Sequence, residues 1–264
     1  MAKQYYSCIW ISDVHLGYKD CKADFLLDFL TNTECDVLYL VGDIIDLWSM
    51  KRQFYWQPSH YQVLECIRHK ANSGTRVIYI PGNHDETFRA YVGEAFMNVE
   101  VHKSFIHTAK TGKRFLLVHG DDFDSATRYS KLISIIGDNA YDFLLFLNRW
   151  HNRVRRLFGS HYWSLASWIK NRIHKAQQAI AAFENAAVHE AKKQGVDGII
   201  CGHIHQPDIK KIDGVLYCND GDWIENCTVL VEDEAGRIEL LHWSDIQTSL
   251  KVVDLAQPKE VKAA

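Results

Sequence analysis

Short apolar runs rich in β-branched residues recur along the chain. They fall at Ser7–Ser12, Val37–Val41, Arg76–Ile80, Phe115–Val118, Gly198–Cys201, Val215–Cys218, Cys227–Val231 and Ile238–Trp243. Runs of this length and composition predict buried strands. Between the early runs, apolar positions spaced three and four apart predict helices over Ala23–Asn32 and Tyr61–Asn72. Strands alternating with helices predict an α/β fold built on a largely parallel sheet. The last three runs follow one another without helical spacing, which predicts a second, more antiparallel sheet. No internal repeat is present, and only the tail at about 257–264 reads as disordered.

One stretch departs from this pattern. Residues 125–194 carry 11 Lys and Arg against 4 Asp and Glu, and no acidic residue lies between Asp142 and Glu184. The stretch reads as a helical insertion, at about 125–194, into a single domain spanning residues 1–264. On a helical wheel, Phe143, Phe146, Leu147, Trp150, Val154 and Leu157 share one face, and Arg149, Arg153 and Arg156 share the opposite one. Such a basic, aromatic helix packs on a core, lies at a membrane surface, caps an acyl pocket or forms a dimer interface. Arg149 and Arg153 are the candidates for binding substrate phosphates.

Composition narrows the rest. The chain has 264 residues, 47% hydrophobic, 24% charged and 12% aromatic, which suits a folded globular domain and not a solvated tail. The net charge of −3 gives no whole-protein attraction to nucleic acid or anionic lipid, so such attraction must be local. No run of about 18 apolar residues is present. The N-terminal residues lack a signal-peptide pattern, so a cytoplasmic location is expected, with peripheral contact on the cytoplasmic face of a membrane as a further option. Seven cysteines without a Cys-x-x-Cys pair read as buried, reduced thiols.

Five of the strand-like runs end in polar clusters: Asp13-Val14-His15, Gly42-Asp43-Ile44-Ile45-Asp46, Gly82-Asn83-His84-Asp85, His119-Gly120-Asp121 and Gly202-His203-Ile204-His205. Ligands of α/β sheets bind at the carboxyl ends of strands, so all five clusters can converge. Taken singly, each cluster reads as an ordinary loop or turn. Together, Asp13, His15, Asp43, Asn83, His119, His203 and His205 supply seven oxygen and nitrogen donors. Seven are too many for one tetrahedral zinc and suit two ions sharing a bridging carboxylate. Asp121, Asp122 and Asp124 read equally well as a helix N-cap cluster. The aromatic-basic segment Trp48–Trp56 reads as site rim or as surface packing, and Asn219–Trp223 as a tight turn without further role or as a return towards the site rim.

These five motifs, in this order, resemble the signature of the calcineurin-like metallophosphoesterases. The resemblance implies a four-layer αββα sandwich carrying two divalent metal ions. It implies Asp13, His15, Asp43 and His205 around one ion, and Asp43, Asn83, His119 and His203 around the other. Manganese is the expected metal, with iron or zinc also possible in such sites. Two ions about 3.5–4 Å apart neutralise phosphate charge and acidify a water that attacks in line. His84, the motif residue not needed as a ligand, is expected to stabilise the phosphate or protonate the leaving group, with Asp85 orienting its ring.

Length, motif order and the helical insertion are more closely similar to the UDP-2,3-diacylglucosamine pyrophosphatase branch, which acts in lipid A biosynthesis. That branch implies hydrolysis of a pyrophosphate bond in a lipid-linked nucleotide sugar. Its pattern carries Arg where this chain has His84, which leaves the substrate open. The alternative is a soluble nucleotide phosphodiesterase or phosphatase. A nuclease is disfavoured by the acidic core, and a non-catalytic scaffold by the complete motif set.

Overall fold

The computed structural model describes residues 3–125, 147–159, 161–165, 168 and 174–255. The chain opens with β1 (Gln4–Ile11), α1 (Ala23–Asn32), β2 (Thr33–Leu40), α2 (Leu47–Arg52), α3 (Pro58–Asn72) and β3 (Arg76–Tyr79). Short β4 (Ala95–Phe96) and β5 (Val99–Val101) follow, then β6 (Phe105–Thr108) and β7 (Arg114–Leu117). Residues 147–157 form helix α4, and α5 spans His174–Lys193. The remaining strands are β8 (Gly198–Cys201), β9 (Asp208–Ile212), β10 (Val215–Asn219), β11 (Thr228–Glu232), β12 (Arg237–Trp243) and β13 (Gln247–Asp254).

The strands form two sheets, ordered β13-β12-β11-β1-β2-β3-β5-β4 and β6-β7-β8-β10-β9. In the first, β1, β2 and β3 are parallel. In the second, β7, β8 and β10 are parallel. Both faces of these central strands are covered, which explains their continuous apolar runs. In β1, Ile9 and Ile11 face α1 and α3, while Cys8 and Trp10 face the second sheet. In β8, Ile200 faces the first sheet, while Ile199 and Cys201 meet Phe183 and Ala187 of α5. Three apolar layers therefore separate helix, sheet, sheet and helix, as the four-layer reading expects.

One expectation needs correction. Of the last three apolar runs, only β10 belongs to the second sheet, whereas β11 and β12 extend the first. The antiparallel pairing of β1 with β11 makes that extension possible, because a tight return from the site brings the chain back beside β1. The expected disordered tail and the wheel positions Phe143 and Phe146 lie outside the described residues.

Helix α4 buries neither its apolar stripe nor its arginines. Its buried side chains are Asn148 and Asn152, whereas Trp150 is 63% exposed and Leu157 is 81% exposed. The reason is local hydrogen bonding. Asn148 Oδ1 accepts from the Leu165 amide (2.8 Å), and Asn152 Oδ1 accepts from the Trp163 amide (2.9 Å). The two amides thus clasp the following segment, and Tyr162 of that segment donates to the Glu225 carbonyl (2.9 Å). Polar groups hold this helix down, leaving its larger apolar groups outside.

Candidate metal centre

Five loops leave the carboxyl ends of β1, β2, β3, β7 and β8 and are stitched together by their own backbone. The Asp13 amide donates to the Gly42 carbonyl (3.0 Å), His15 to Asp43 (2.9 Å) and Gly202 to His119 (3.1 Å). Five of the seven candidate ligands adopt left-handed backbone: Asp13 (φ 49°), His15 (53°), Asp43 (52°), His203 (71°) and His205 (51°). Residues with a Cβ pay roughly 1–3 kcal/mol each for such conformations, which persist where surrounding structure imposes them. Glycine is required beside them for room. A Cβ on Gly82 would sit 2.3 Å from Asp43 Oδ1, and one on Gly202 would sit 2.2 Å from Asp13 Oδ2.

The donors gather in two adjoining groups. In one, Asp13 Oδ1 lies 3.2 Å from His205 Nε2 and 3.8 Å from His15 Nε2. In the other, Asp43, His119 and His203 present ligand atoms within 4.8 Å of one another. Asp43 Oδ2 joins the groups, 3.3 Å from His119 Nε2 and 3.9 Å from His15 Nε2. Asn83 Oδ1 approaches the same His119 nitrogen at 3.2 Å. All seven candidates therefore come together, with Asp43 at the junction of the two groups.

The donor set fits divalent cations. Asp13 Oδ1 and His15 Nε2 are buried and complete no hydrogen bond, a costly state that a coordinated cation relieves. The far nitrogens are anchored in the way ligating imidazoles require. His119 Nδ1 sits 2.9 Å from the Val41 carbonyl, and His15 Nδ1 sits 3.0 Å from Asp46 Oδ2. Burial disfavours a charged His119, yet the adjacent Asp43 carboxylate pushes it up to about 10. Burial would raise Asp13, but the His205 and His15 imidazoles hold it well below the usual carboxylate range. The pocket thus concentrates negative potential where positive charge belongs.

Asp46 is the residue the sequence reading left without a role. It is buried, and its second oxygen, Oδ1, lies 3.0 Å from His84 Nδ1. Burial would raise its carboxyl, but His15 and His84 hold it far below the usual range. Asp46, and not Asp85, therefore orients His84. Asp85 Oδ1 instead accepts from the Gly82 amide (2.6 Å), and Oδ2 from the Ile44 amide (2.7 Å), fixing the loop that carries Asp43. The residue adjacent to His84 in sequence points away because successive side chains diverge in this turn, while Asp46 arrives from a neighbouring strand end. The available signal was its place in Gly42-Asp43-x-x-Asp46.

Three further segments are resolved by their contacts. Trp48 lies over His84, with ring centroids 4.4 Å apart, so this part of the Trp48–Trp56 segment lines the rim. The Asn219–Trp223 turn has a supporting role. Asp220 Oδ1 accepts from Ser12 Oγ (2.6 Å), and Asp222 Oδ1 receives the Ile224 amide (2.8 Å) while lying 4.0 Å from His205 Nδ1. In the Asp121–Ser125 turn, Asp124 Oδ2 sits 2.9 Å from His203 Nε2, and Asp121 pairs with Arg89 (2.7 Å). Those acids serve the site rim in addition to opening a helical turn.

Arg149 and Arg153 line a cleft of about 530 Å³ together with Asp20, Lys22, Trp150, Arg156, Leu157 and Ile224. The cleft borders the loop that follows His15. Arg149 Nη1 is held by both oxygens of the buried Asp20. In this structure the Arg149 guanidinium pairs with a buried carboxylate while facing the cleft.

Fold and site define a class. The sequence profile of the calcineurin-like phosphoesterases matches residues 7–207, and the chain belongs to that family of metal-dependent phosphoester hydrolases. Among curated relatives it is similar to the UDP-2,3-diacylglucosamine hydrolase of Chromohalobacter salexigens, with 29% identity over 85% of this chain and 93% of the relative. It is also similar to the enzyme of that name from Haemophilus influenzae (strain PittGG), with 25% identity over 86% and 95%. Among solved structures, the Yfce phosphoesterase of E. coli shares the fold, with TM-score 0.50 and 13% identity over 94% of this chain and 98% of that one. Membership implies divalent metal ions as cofactors.

Proposed function

We propose that the chain is a dinuclear-metal hydrolase that cleaves a pyrophosphate bond in a lipid-linked nucleotide sugar, with UDP-2,3-diacylglucosamine or a near relative as substrate. The observation that carries this reading is helix α4, whose exposed Trp150 and Leu157 border a basic cleft beside the loop that follows His15. An apolar, basic surface of this kind suits acyl chains beside phosphates, and each buried methylene contributes roughly 0.8 kcal/mol. The names of the relatives at 25–29% identity support the same substrate class.

In this reading Asp13, His15, Asp43 and His205 would hold one ion. Asp43, Asn83, His119 and His203 would hold the second. When bound, the ions supply charge neutralisation at the phosphate oxygens and an acidified water as nucleophile. Manganese is the proposed metal, with iron and zinc as alternatives for the same donors. His84, steadied by Asp46, donates a proton to the leaving oxygen. Arg149 and Arg153 bind phosphate, with Arg149 anchored at the cleft wall by Asp20. Residues of about 125–194 act as the lid over the acyl chains. The protein works in the cytoplasm with peripheral membrane contact; among the described residues no helix is long and apolar enough to cross a membrane. No nucleic-acid partner is proposed.

The test is hydrolysis of UDP-2,3-diacylglucosamine, UDP-glucose and a soluble phosphodiester side by side with manganese. A kcat/KM at least about 100-fold higher for the acylated substrate is expected, equivalent to roughly 2.7 kcal/mol of selective binding. Equal or better turnover of the soluble compounds would instead favour a nucleotide phosphodiesterase. The observation favouring that second reading is His84 itself, which occupies the position where the lipid-branch pattern carries Arg.

A further inference from the structure

We propose that Trp48 is a positioning residue for hydrolysis: its indole face holds the His84 imidazole so that Nε2 is presented to the leaving oxygen of the phosphoester. The inference rests on the assignment of His84 as proton donor.

The geometry around His84 leaves little freedom. Asp46 Oδ1 approaches Nδ1 at 3.0 Å. The His15 ring meets the His84 ring edge-on, with centroids 4.6 Å apart and planes at 82°. A contact at one nitrogen still lets an imidazole tilt about the axis through that contact. Trp48 removes this motion, lying 4.4 Å away with planes 33° apart. With these three neighbours in place, the His84 side chain keeps 26% exposure, and Nε2 is the nitrogen left for chemistry.

Core packing does not account for a tryptophan here. Helix α2 contains no buried residue, and Trp48 is 40% exposed. A six-residue helix with nothing buried has no need of so large a side chain for stability. Its backbone, by contrast, is tied to the site. Asp46 Oδ1 accepts the Ser49 amide (2.7 Å), and the Leu47 amide donates to the His84 carbonyl (3.2 Å). The carboxylate that fixes His84 and the indole that covers it therefore move as one unit, two residues apart in sequence.

In the step at issue, the water oxygen forms a bond to phosphorus. The bond from phosphorus to the leaving oxygen breaks, and its electron pair stays with that oxygen. The oxygen takes the proton from His84 Nε2, and the proton lost by the water passes to solvent, from which the imidazole is recharged. A misaligned imidazole harms this step most when the leaving group is a poor one.

The experiment compares wild type, Trp48→Ala, Trp48→Phe and His84→Ala on phosphodiesters bearing 4-nitrophenyl, phenyl and alkyl leaving groups. For Trp48→Ala, kcat should fall about 10- to 100-fold on the alkyl ester and less than about threefold on the 4-nitrophenyl ester. KM and metal content should stay unchanged, and Trp48→Phe should recover most of the loss. The double variant with His84→Ala should be little worse than His84→Ala alone. Equal losses for all leaving groups, or a change confined to KM, would overturn the proposal. A leaving-group effect seen in His84→Ala but absent from Trp48→Ala defeats the role of Trp48 alone; its absence from both defeats the proton-donor assignment. An independent readout is the His84 ring-proton resonance. The indole ring current should displace it in wild type, the displacement should vanish in Trp48→Ala, and its absence in wild type counts against the proposal.

Discussion

Asp46 Oδ1 lies 3.0 Å from His84 Nδ1, and the same carboxylate reaches His15 Nδ1 with its other oxygen, also at 3.0 Å. One side chain thus serves a candidate ligand and the candidate proton donor. Replacing Asp46 by Asn keeps the shape and removes the charge. Metal affinity should fall about 10- to 100-fold, as is usual when the partner of a ligating imidazole is lost. The rate should fall in addition, by up to about 10²-fold through His84. Calorimetric metal titration and kcat at saturating metal separate the two effects; wild-type values in both would remove Asp46 from the account.

Asp43 occupies the junction of the two donor groups, within 3.9 Å of His15 and 3.3 Å of His119. Asp43→Asn should therefore lower the content of both ions and abolish activity. The check is elemental analysis after dialysis against limiting manganese. Two retained equivalents of metal per chain would argue against a bridging carboxylate.

Gly202 has no space for a side chain, because its Cβ would lie 2.2 Å from both Asp13 Oδ2 and Ser12 Oγ. Gly202→Ala should destabilise the fold by about 1–3 kcal/mol, the usual range for overpacking a tight site. It should also weaken metal binding, because Asp13 is the group displaced. Urea denaturation of the metal-free protein reads the first effect and metal titration the second.

The outward face of α4 makes a separable claim. Trp150→Ser combined with Leu157→Ser should leave the melting temperature nearly unchanged, since both side chains are largely exposed. It should raise KM for an acylated substrate and reduce flotation with anionic vesicles. Hydrolysis of a soluble phosphodiester should be unaffected. A large loss of thermal stability would show that the residues are packing groups after all.

Burial raises the thiols of this chain, with Cys21 and Cys35 pushed up to about 12 from an ordinary value of 9.0. The folded state therefore holds those protons at a pH where the unfolded chain releases them. Stability from this source is complete below 9.0 and declines as pH rises towards about 12. At pH 8 all seven cysteines, free in the structure, should react much more slowly with iodoacetamide in the native than in the urea-unfolded protein. Fast modification of the native chain would contradict this.

The sequence disclosed the parallel strands and the convergence of the candidate donors for a common reason. Central strands buried on both faces read as unbroken apolar runs, and polar clusters placed directly after them mark the sheet's carboxyl edge. What stayed hidden depends on long-range pairing. Nothing near Cys227 indicates that β11 returns to β1 and not to β10. The exposed strand β13 has no apolar pattern to announce it. Asp85 looked like the partner of His84 because the two are adjacent, whereas Asp46 meets His84 only after β2 and β3 pair. The wheel over residues 143–158 left open which way the apolar face turns; over residues 147–157 two asparagines with good local partners take the buried side.

Left-handed backbone at Asp13, His15, Asp43, His203 and His205 has an energetic corollary. At about 1 kcal/mol or more apiece, the five positions together cost an amount comparable with the net stability of an ordinary domain. Glycine at these tips would relieve that cost while removing the donors. Aspartate and histidine at these tips thus trade stability of the fold for donor atoms at the site.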